Sequence, residues 1–501
     1  MKSFKNVLIL SLVLLISSCF EDKSTEAVRP ISEITISAID SVYNIDKNET
    51  LVITPLINQT NKQKELSYTW EINLDEYSSE QLFTFVGKEL GKFNCRLIVE
   101  NEDGKAFMPF VVNVNSPYEY GITVLSEKQD GSSVLSFMQE PMKEGDVAKF
   151  TEGDCFTINN PEMEFASHPS DIIQSSGSIV VACQGDDSEE NEATIYFLNE
   201  KTFVVESFVT SKEYPTFKPT KLLMPSLGSV GITYPVLSSD GYAYDIPTYN
   251  AILQPSTRLF SNYSQAAFVS SSSESRYDIL LWDNVAKGIA LIYNGYGPYY
   301  YGDKYLLGPN DAEFSTINYF KDVKGLVTMA MIRRTPAQET IYEREVLVLV
   351  AGKTFTQKVI FPTFPWNSVE GKPGVHNLVD NGGLKIAGTG TPPIDENTPC
   401  IANRTYNSLL FADGNKVRRW YYTTNTQITK ADNLLTVGSD KAVITSLEMS
   451  DDHLKTYVAF YEPDQEGLNG SVWVFDTDKG TVLEKHDNVC YKPVKMIYKK
   501  R

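Results

Sequence analysis

The sequence contains few of the residues from which metal and redox sites are built. Its 501 residues include 4 histidines and 6 cysteines, and neither type forms a ligand spacing such as His-x-His, His-Glu-x-x-His or Cys-x-x-Cys. A Gly-x-Ser-x-Gly motif and a glycine-rich phosphate loop after a strand are also missing, which argues against acyl and phosphoryl transfer. We therefore predict no catalytic residues, no metal and no cofactor.

Positive charge is scarce as well. Lysine and arginine number 45 against 64 aspartates and glutamates, which gives a net charge of −19. A protein of this charge repels phosphate backbones and anionic lipid head groups. We therefore predict no nucleic-acid partner and no lipid contact through the protein surface.

Only one stretch is apolar enough to suggest a targeting segment. Lys2 and Lys5 precede the run Val7 to Ile16, which is the layout of a secretory signal peptide. A transmembrane helix needs about 20 apolar residues, so this run is too short to span a membrane.

A cysteine follows this run. The residues Ile16-Ser17-Ser18-Cys19 resemble a bacterial lipobox. The resemblance implies that residues 1–18 are a signal peptide, that Cys19 carries the lipid, and that residues 19–30 are a linker. Two or more acyl chains anchor a protein stably, because each buried methylene contributes about 0.8 kcal/mol. The alternative is an ordinary secreted protein with a chance cysteine.

Two acids come just after the cysteine. Glu21 and Asp22 resemble the acidic export tag of outer-surface lipoproteins in anaerobic gut bacteria. The resemblance implies an outer-membrane protein, anchored by lipid alone, that faces the cell exterior. The alternative is a solvated linker on the periplasmic face.

The other five cysteines are irregularly spaced. An odd number leaves at least one thiol unpaired, and we expect these residues to be small buried hydrophobes. They are Cys95, Cys155, Cys183, Cys400 and Cys490.

Residues 31–115 alternate between apolar and polar positions in short β-rich runs, which predicts a β-sandwich. We place strands in Ile34–Asp40, Glu49–Ile57, Leu66–Ile72, Phe93–Glu100 and Ala106–Val114. Asp103 and Gly104 are expected to supply the positive φ angles of a tight hairpin turn. The runs Tyr68–Ile72 and Gly91–Asn115 resemble a PKD-like, immunoglobulin-type domain, which implies that Trp70 is the core tryptophan.

Residues 118–501 show no sustained helical periodicity, and strand-like runs bounded by Gly, Asn and Asp continue to the end. An all-β region of this length favours radial repetition, so we predict a seven-bladed β-propeller. The seven segments expected to form blades are residues 121–138, 179–208, 231–246, 277–293, 328–360, 408–422 and 456–486.

The order of lipobox, PKD-like domain and propeller resembles the PKD-like family of surface lipoproteins that accompany starch-utilisation-type nutrient importers. The resemblance implies three partners: an outer-membrane importer barrel, its lidding lipoprotein, and a glycan or peptide ligand. A non-catalytic accessory protein is the principal hypothesis. The alternatives are a glycan-degrading propeller enzyme, whose paired acids would come from distant blades, and a purely structural scaffold of the importer complex.

The segment Asn294–Tyr305, with the sequence NGYGPYYYGDKY, is the candidate binding site. Tyrosine has a flat apolar face and a polar tip, which suit stacking on sugars or holding a peptide. The alternative is that these rings pack between blades. The predicted ligand-binding residues are Tyr296, Tyr299, Tyr300, Tyr301, Tyr305 and, on a separate loop, Trp366.

An acidic run covers residues 186–192, with the sequence DDSEENE. It lacks the glycine and the alternating ligand placement of a calcium loop, so a solvated hairpin tip is the preferred interpretation.

Overall fold

The computed structural model divides the chain into two compact units, residues 1–116 (unit 1) and residues 117–501 (unit 2). Within residues 226–232 and 278–385 only the backbone of the strands is described. The described residues are 31–141, 147–175, 177–186, 188, 191–223, 226–228, 231–248, 251–255, 278–283, 288–293, 304–307, 323–334, 344–352, 356–362, 366–367, 372–373, 384–385, 398–403, 405–406, 408–421 and 431–499.

Unit 1 consists of nine described strands. They are β1 (Ile34–Ser37), β2 (Val42–Asp46), β3 (Thr50–Ile53), β4 (Leu56–Gln59), β5 (Ser67–Ile72), β6 (Asp75–Ser78), β7 (Phe83–Val86), β8 (Gly91–Asn101) and β9 (Gly104–Asn115). Five of them form the sheet β2-β9-β8-β5-β6, in which β2 and β9 are parallel, and β1-β4 and β3-β7 form two smaller sheets.

The core of unit 1 is built around Trp70, as predicted. Its side chain is fully buried, and its ring lies 4.8 Å from the ring of Phe83 and 5.9 Å from that of Phe110. The indole N–H donates a 2.8 Å hydrogen bond to the carbonyl oxygen of Glu80, so burial leaves no unsatisfied donor on this ring. These contacts are those of an immunoglobulin-like sandwich.

Two details of unit 1 differ from the prediction. The single strand expected over Glu49–Ile57 is two strands in different sheets, β3 and β4, separated by Pro55, which has no N–H to donate to a ladder. The hairpin between β8 and β9 exists, but neither Asp103 nor Gly104 has a positive φ. Instead, the Asn101 side-chain oxygen accepts hydrogen bonds from both of their N–H groups, and this side chain shapes the turn.

Unit 2 is almost entirely β. Within its described residues seven sheets of three to five strands follow one another along the chain, together with one short helix, α1 (Cys155–Asn159), and a separate strand pair, β28 (Trp366–Asn367) and β29 (Lys372–Pro373).

The first three sheets are as follows. Sheet 1 contains β10 (Gly121–Glu127), β11 (Ser133–Gln139), β12 (Lys149–Phe150) and β39 (Lys492–Lys499). Sheet 2 contains β13 (Pro169–Ser175), β14 (Ser178–Cys183), β15 (Thr194–Asn199) and β16 (Val205–Thr210). Sheet 3 contains β17 (Pro219–Leu222), β18 (Ser226–Gly228), β19 (Gly231–Ser238), β20 (Ala243–Pro247) and β21 (Gln254–Pro255).

The remaining four sheets complete the series. Sheet 4 contains β22 (Asp278–Asp283), β23 (Gly288–Tyr293) and β24 (Lys304–Leu307). Sheet 5 contains β25 (Val323–Arg334), β26 (Arg344–Gly352), β27 (Thr356–Pro362) and β30 (Leu384–Lys385). Sheet 6 contains β31 (Cys400–Asn403), β32 (Ser408–Asp413), β33 (Lys416–Trp420) and β34 (Asp432–Thr436). Sheet 7 contains β35 (Val443–Met449), β36 (Lys455–Tyr461), β37 (Gly470–Asp476) and β38 (Val482–Cys490).

This is the arrangement of a seven-bladed β-propeller, in which innermost strands surround a central channel. Each of the seven predicted segments supplies strands to a different one of the seven sheets, so the predicted fold class is confirmed. Sheet 1 contacts both of its neighbours: its strand β39 touches β13 of sheet 2 and β35, β36 and β37 of sheet 7, and its strand β10 also touches β13.

The two ends of unit 2 meet in sheet 1. The last strand, β39, pairs antiparallel with β10, the first strand of the unit, and takes the innermost position of that sheet. A ring of blades closed in this way leaves no open sheet edge at the junction between its first and last blades.

The five described cysteines are all buried, as predicted. Burial raises the pKa of Cys95 to about 11 and the pKa of Cys155, Cys183 and Cys490 to about 12. These four thiols are therefore protonated at neutral pH and serve as core residues.

Candidate functional site: the entrance of the propeller channel

The innermost strands of sheets 1, 2 and 3 share a short sequence pattern. In each strand a proline is followed by any residue, a charged residue and two apolar residues. The three copies are Pro493-Val494-Lys495-Met496-Ile497, Pro169-Ser170-Asp171-Ile172-Ile173 and Pro219-Thr220-Lys221-Leu222-Leu223. Each proline is at or next to the start of its strand, where the missing N–H is tolerated.

Each copy of the pattern contains a break in strand pairing. The pairing of β13 with β14 skips Ser170, that of β17 with β19 skips Thr220, and that of β39 with β10 skips Val494. A bulge of this kind redirects the side chain beside it. The bulges therefore give the charged residues of three neighbouring strands the same local setting.

Asp171 lies at the centre of these contacts. Its carboxylate forms an ion pair with the Lys495 ammonium, and its other oxygen accepts a 2.7 Å hydrogen bond from the backbone N–H of Leu222. Only 1% of Asp171 is exposed. This one carboxylate thus links the innermost strands of sheets 1, 2 and 3.

Lys221 lies close to this pair but has a different environment. Burial lowers its pKa, the nearby Lys495 lowers it further, and the Asp171 carboxylate and the Cys400 thiol oppose that shift. Protein atoms surround most of its side chain, yet part of its surface stays open. Within the described residues the Lys221 ammonium has no hydrogen-bond or ion-pair partner. We call Asp171, Lys221 and Lys495 the channel group.

Sheet 7 has a neutral residue at the position that follows the bulge of its innermost strand. The pairing of β35 with β36 also skips one residue, Thr445. Ser446, which follows it, accepts a 3.1 Å hydrogen bond from the backbone N–H of Met496. Asp171 makes the equivalent bond to Leu222, so these two residues join adjacent blades. Lysine side chains are donors only and cannot accept such a bond.

The position of the channel group follows from the fold. Innermost strands are covered on both faces by neighbouring blades, so the solvent that reaches their side chains is that of the channel. The Lys495 side chain is 27% exposed, and Lys221 is half-buried. The channel group therefore contributes two ammonium groups and one carboxylate to the channel wall.

Several predicted functional residues lie outside the described part of the chain. These are Cys19, Glu21, Asp22, Tyr296, Tyr299, Tyr300 and Tyr301. Tyr305 belongs to β24 and Trp366 to β28, but only the backbone of these strands is described. The predicted contacts of these residues with a ligand stay predictions.

The acidic run 186–192 connects β14 with β15, which is the hairpin tip predicted. Asp186 accepts hydrogen bonds from the Ser188 N–H and the Asn191 amide, both at 3.0 Å, and these bonds lower its pKa. Asp187, Glu189 and Glu190 lie outside the described residues.

The described residues contain no group of three or more His, Cys, Asp or Glu side chains that could bind a metal ion. No helix among them has the length and apolar content needed to cross a membrane.

A second polar cluster joins the first and last blades. The Glu140 carboxylate accepts hydrogen bonds from the hydroxyls of Tyr457 and Tyr498, and the Lys455 ammonium lies 3.5 Å from it. The rings of Tyr457 and Tyr498 are 5.6 Å apart. Each described group in this cluster has a partner, which indicates a role in closing the propeller.

Comparison with known proteins gives one family match and several similar folds. The model of the PKD-like family matches residues 19–161, and no curated protein sequence matches the chain. A Quinonprotein alcohol dehydrogenase-like protein from Bacteroides thetaiotaomicron is 14% identical, with 93% of this chain and 99% of that chain covered and a TM-score of 0.49. Apo AztD from Citrobacter koseri is 9% identical, with 87% and 98% covered and a TM-score of 0.38. The PKD-like match covers the sandwich of unit 1 and extends into the first sheet of unit 2.

Proposed function

We propose that this protein is a lipid-anchored accessory protein of the outer-membrane surface, which binds a ligand in its propeller channel and serves a nutrient importer without catalysis. The ligand is a glycan or a peptide, and the importer barrel with its lidding lipoprotein is the partner. Anchoring rests on the lipobox that ends at Cys19 and the acids Glu21 and Asp22. The PKD-like match also begins at Cys19.

The channel group carries the proposal for ligand binding. Charges in the wall of a channel cost desolvation energy, and aliphatic side chains would avoid that cost. For Asp171 this desolvation energy is offset by the bonds with which it joins three strands, including the ion pair with Lys495. Lys221 makes no such contact in the described residues, so its charge is available to a ligand. Charged residues at positions where an aliphatic residue would be more stable are typical of functional sites.

The tyrosines of residues 294–305 extend the proposal. Surface loops that contain glycine and proline carry recognition in many folds, and we expect Tyr296, Tyr299, Tyr300, Tyr301 and Tyr305 to contact the ligand or the importer. Trp366 is expected to add a further aromatic surface.

The test starts with the lipidated protein, purified from membranes. It should bind members of a glycan and peptide array, release no product from them, and copurify with an importer barrel. Product release would favour the alternative of a glycan-degrading enzyme, and copurification without any ligand would favour a scaffold. The Cys19→Ala variant should move to the soluble fraction, and its persistence in membranes would contradict the anchor. Glu21→Ala/Asp22→Ala should keep the anchor but lose access to external protease.

A further inference from the structure

The described charges of the channel group do not cancel. Lys221 and Lys495 supply two ammonium groups, and Asp171 supplies one carboxylate, which is already paired with Lys495. Among these three described residues one positive charge is therefore left over, in a protein whose net charge is −19.

We propose that the channel group binds a singly charged anionic group of the ligand, a carboxylate, with Lys221 as its direct partner. This inference rests on the proposed function, since it specifies the chemistry of the same site. A single negative charge on the ligand balances the excess positive charge. A doubly charged phosphate would leave an excess negative charge beside Asp171, in a protein that is already acidic.

The surroundings of Lys221 strengthen such a contact. Hydrogen bonds between charged groups are about twice as strong as those between neutral groups, and low local polarity strengthens them further. The ion pair of the group is between Lys495 and Asp171, while Asp171 acts on Lys221 only through space. Asp171 is in turn fixed by the Leu222 N–H, so the site is organised before the ligand arrives.

Two kinds of ligand can supply the carboxylate, and the probes distinguish between them. Hexuronic acids supply a carboxylate on a glycan, and a free C-terminus supplies one on a peptide. The probes are oligogalacturonate and its neutral methyl ester, and a short peptide with a free C-terminus and the same peptide amidated. Inorganic phosphate is the doubly charged comparison. Binding is measured by calorimetry on the full mature chain.

One of the two acids should bind, and its neutral counterpart and phosphate should bind at least about tenfold more weakly. Lys221→Met should weaken binding of the acid by a similar factor, and Lys221→Arg should retain most of it because the charge is kept. The control is Lys212→Met, which removes one exposed lysine from the segment before β17. Melting curves show whether each variant is folded.

Three results would overturn the inference. They are failure of both acids to bind, equal binding of acid and neutral forms, and unchanged binding by folded Lys221→Met. If Lys221→Met does not fold, the comparison of acid with neutral forms on the unmodified chain decides the question. A neutral glycan or peptide that binds, with no effect of Lys221→Met, would reject the carboxylate and leave the proposed binding function standing.

Discussion

The buried carboxylate of Asp171 accepts a hydrogen bond from the backbone N–H of Leu222 at 2.7 Å, across the boundary between two blades. The same side chain holds the Lys495 ammonium of the strand that closes the propeller. Asp171 thereby connects the second blade to the third blade and to the last strand of the chain.

Asp171→Ala should lower the stability of the propeller. The change leaves Leu222 N–H and the Lys495 ammonium without this acceptor, and loss of one partner from a buried pair costs about 3 kcal/mol. Chemical denaturation of the full chain measures the effect. Asp432→Ala, at an exposed residue of β34, is the control and should change stability by less than about 0.5 kcal/mol. Equal effects of the two changes would refute the joining role of Asp171.

Lys499 should make stability depend on pH. Its ammonium is buried against the carbonyl oxygens of Tyr118 and Glu119, and burial lowers its pKa from 10.5 to about 8. Between these values the unfolded state binds more protons at this lysine than the folded state, so the contribution of Lys499 to stability rises as pH rises. We expect Lys499 to contribute a gain of about 2 kcal/mol from pH 8 to pH 10. The buried thiols, whose pKa is raised, contribute a loss over the same interval, so the effect of Lys499 is measured as a difference between two chains.

Denaturation of the unmodified chain and of Lys499→Met at both pH values provides the measurement. The change in stability from pH 8 to pH 10 should be about 2 kcal/mol more favourable in the unmodified chain than in Lys499→Met. Burial raises the pKa of Tyr118 to about 12, so this neighbour stays protonated in the folded state over the interval. An equal change in the two chains would show that Lys499 makes no such contribution.

Removal of residues 491–501 should prevent the propeller from folding cooperatively. The deletion takes away β39, the partner of β10, and exposes a sheet edge at the junction of the first and last blades. A chain that begins at Pro117 is the comparison and should fold, because it retains all of unit 2. Calorimetry distinguishes a cooperative transition from its loss. A cooperative transition in the shortened chain would argue against closure by β39.

The tyrosine prediction separates recognition from packing. Replacement of Tyr299, Tyr300 and Tyr301 by alanine should leave the melting temperature nearly unchanged and weaken binding of the glycan, peptide or importer. Buried aromatic rings cost about 3–5 kcal/mol each when truncated. An unfolded triple variant would therefore identify these rings as core residues and reject them as a binding surface.

The fold could be predicted because each blade has a recognisable local sequence pattern. Alternating apolar runs with turn residues mark strand pairs such as β36 and β37, which are neighbours along the chain. The pairing of β39 with β10 could not be predicted in this way, since no local pattern encodes contacts between distant segments. The split of Glu49–Ile57 at Pro55 was visible in principle, because proline interrupts a ladder.

The channel group was missed for a different reason. Asp171, Lys221 and Lys495 are charged residues in three separate strands, and none of them belongs to a recognised functional motif. The signal was the repeat of proline, any residue, a charged residue and two apolar residues in three places. Their convergence depends on bulges and on blade order, which appear only in three dimensions. The predicted tyrosine site rests on composition and lies largely outside the described residues.

Amine labelling of Lys221 and Lys495 tests most directly whether a ligand binds at the channel group. The full mature chain is treated with an acetylating reagent, with and without saturating oligogalacturonate or the peptide with a free C-terminus, and each lysine is followed by mass spectrometry. Part of the Lys221 side chain and 27% of the Lys495 side chain are exposed, so both amines should be labelled in the absence of ligand. We predict that the bound acid protects Lys221 and Lys495 and leaves Lys212 unchanged. Saturating binding that leaves the labelling of both channel lysines unaltered would contradict the proposed site.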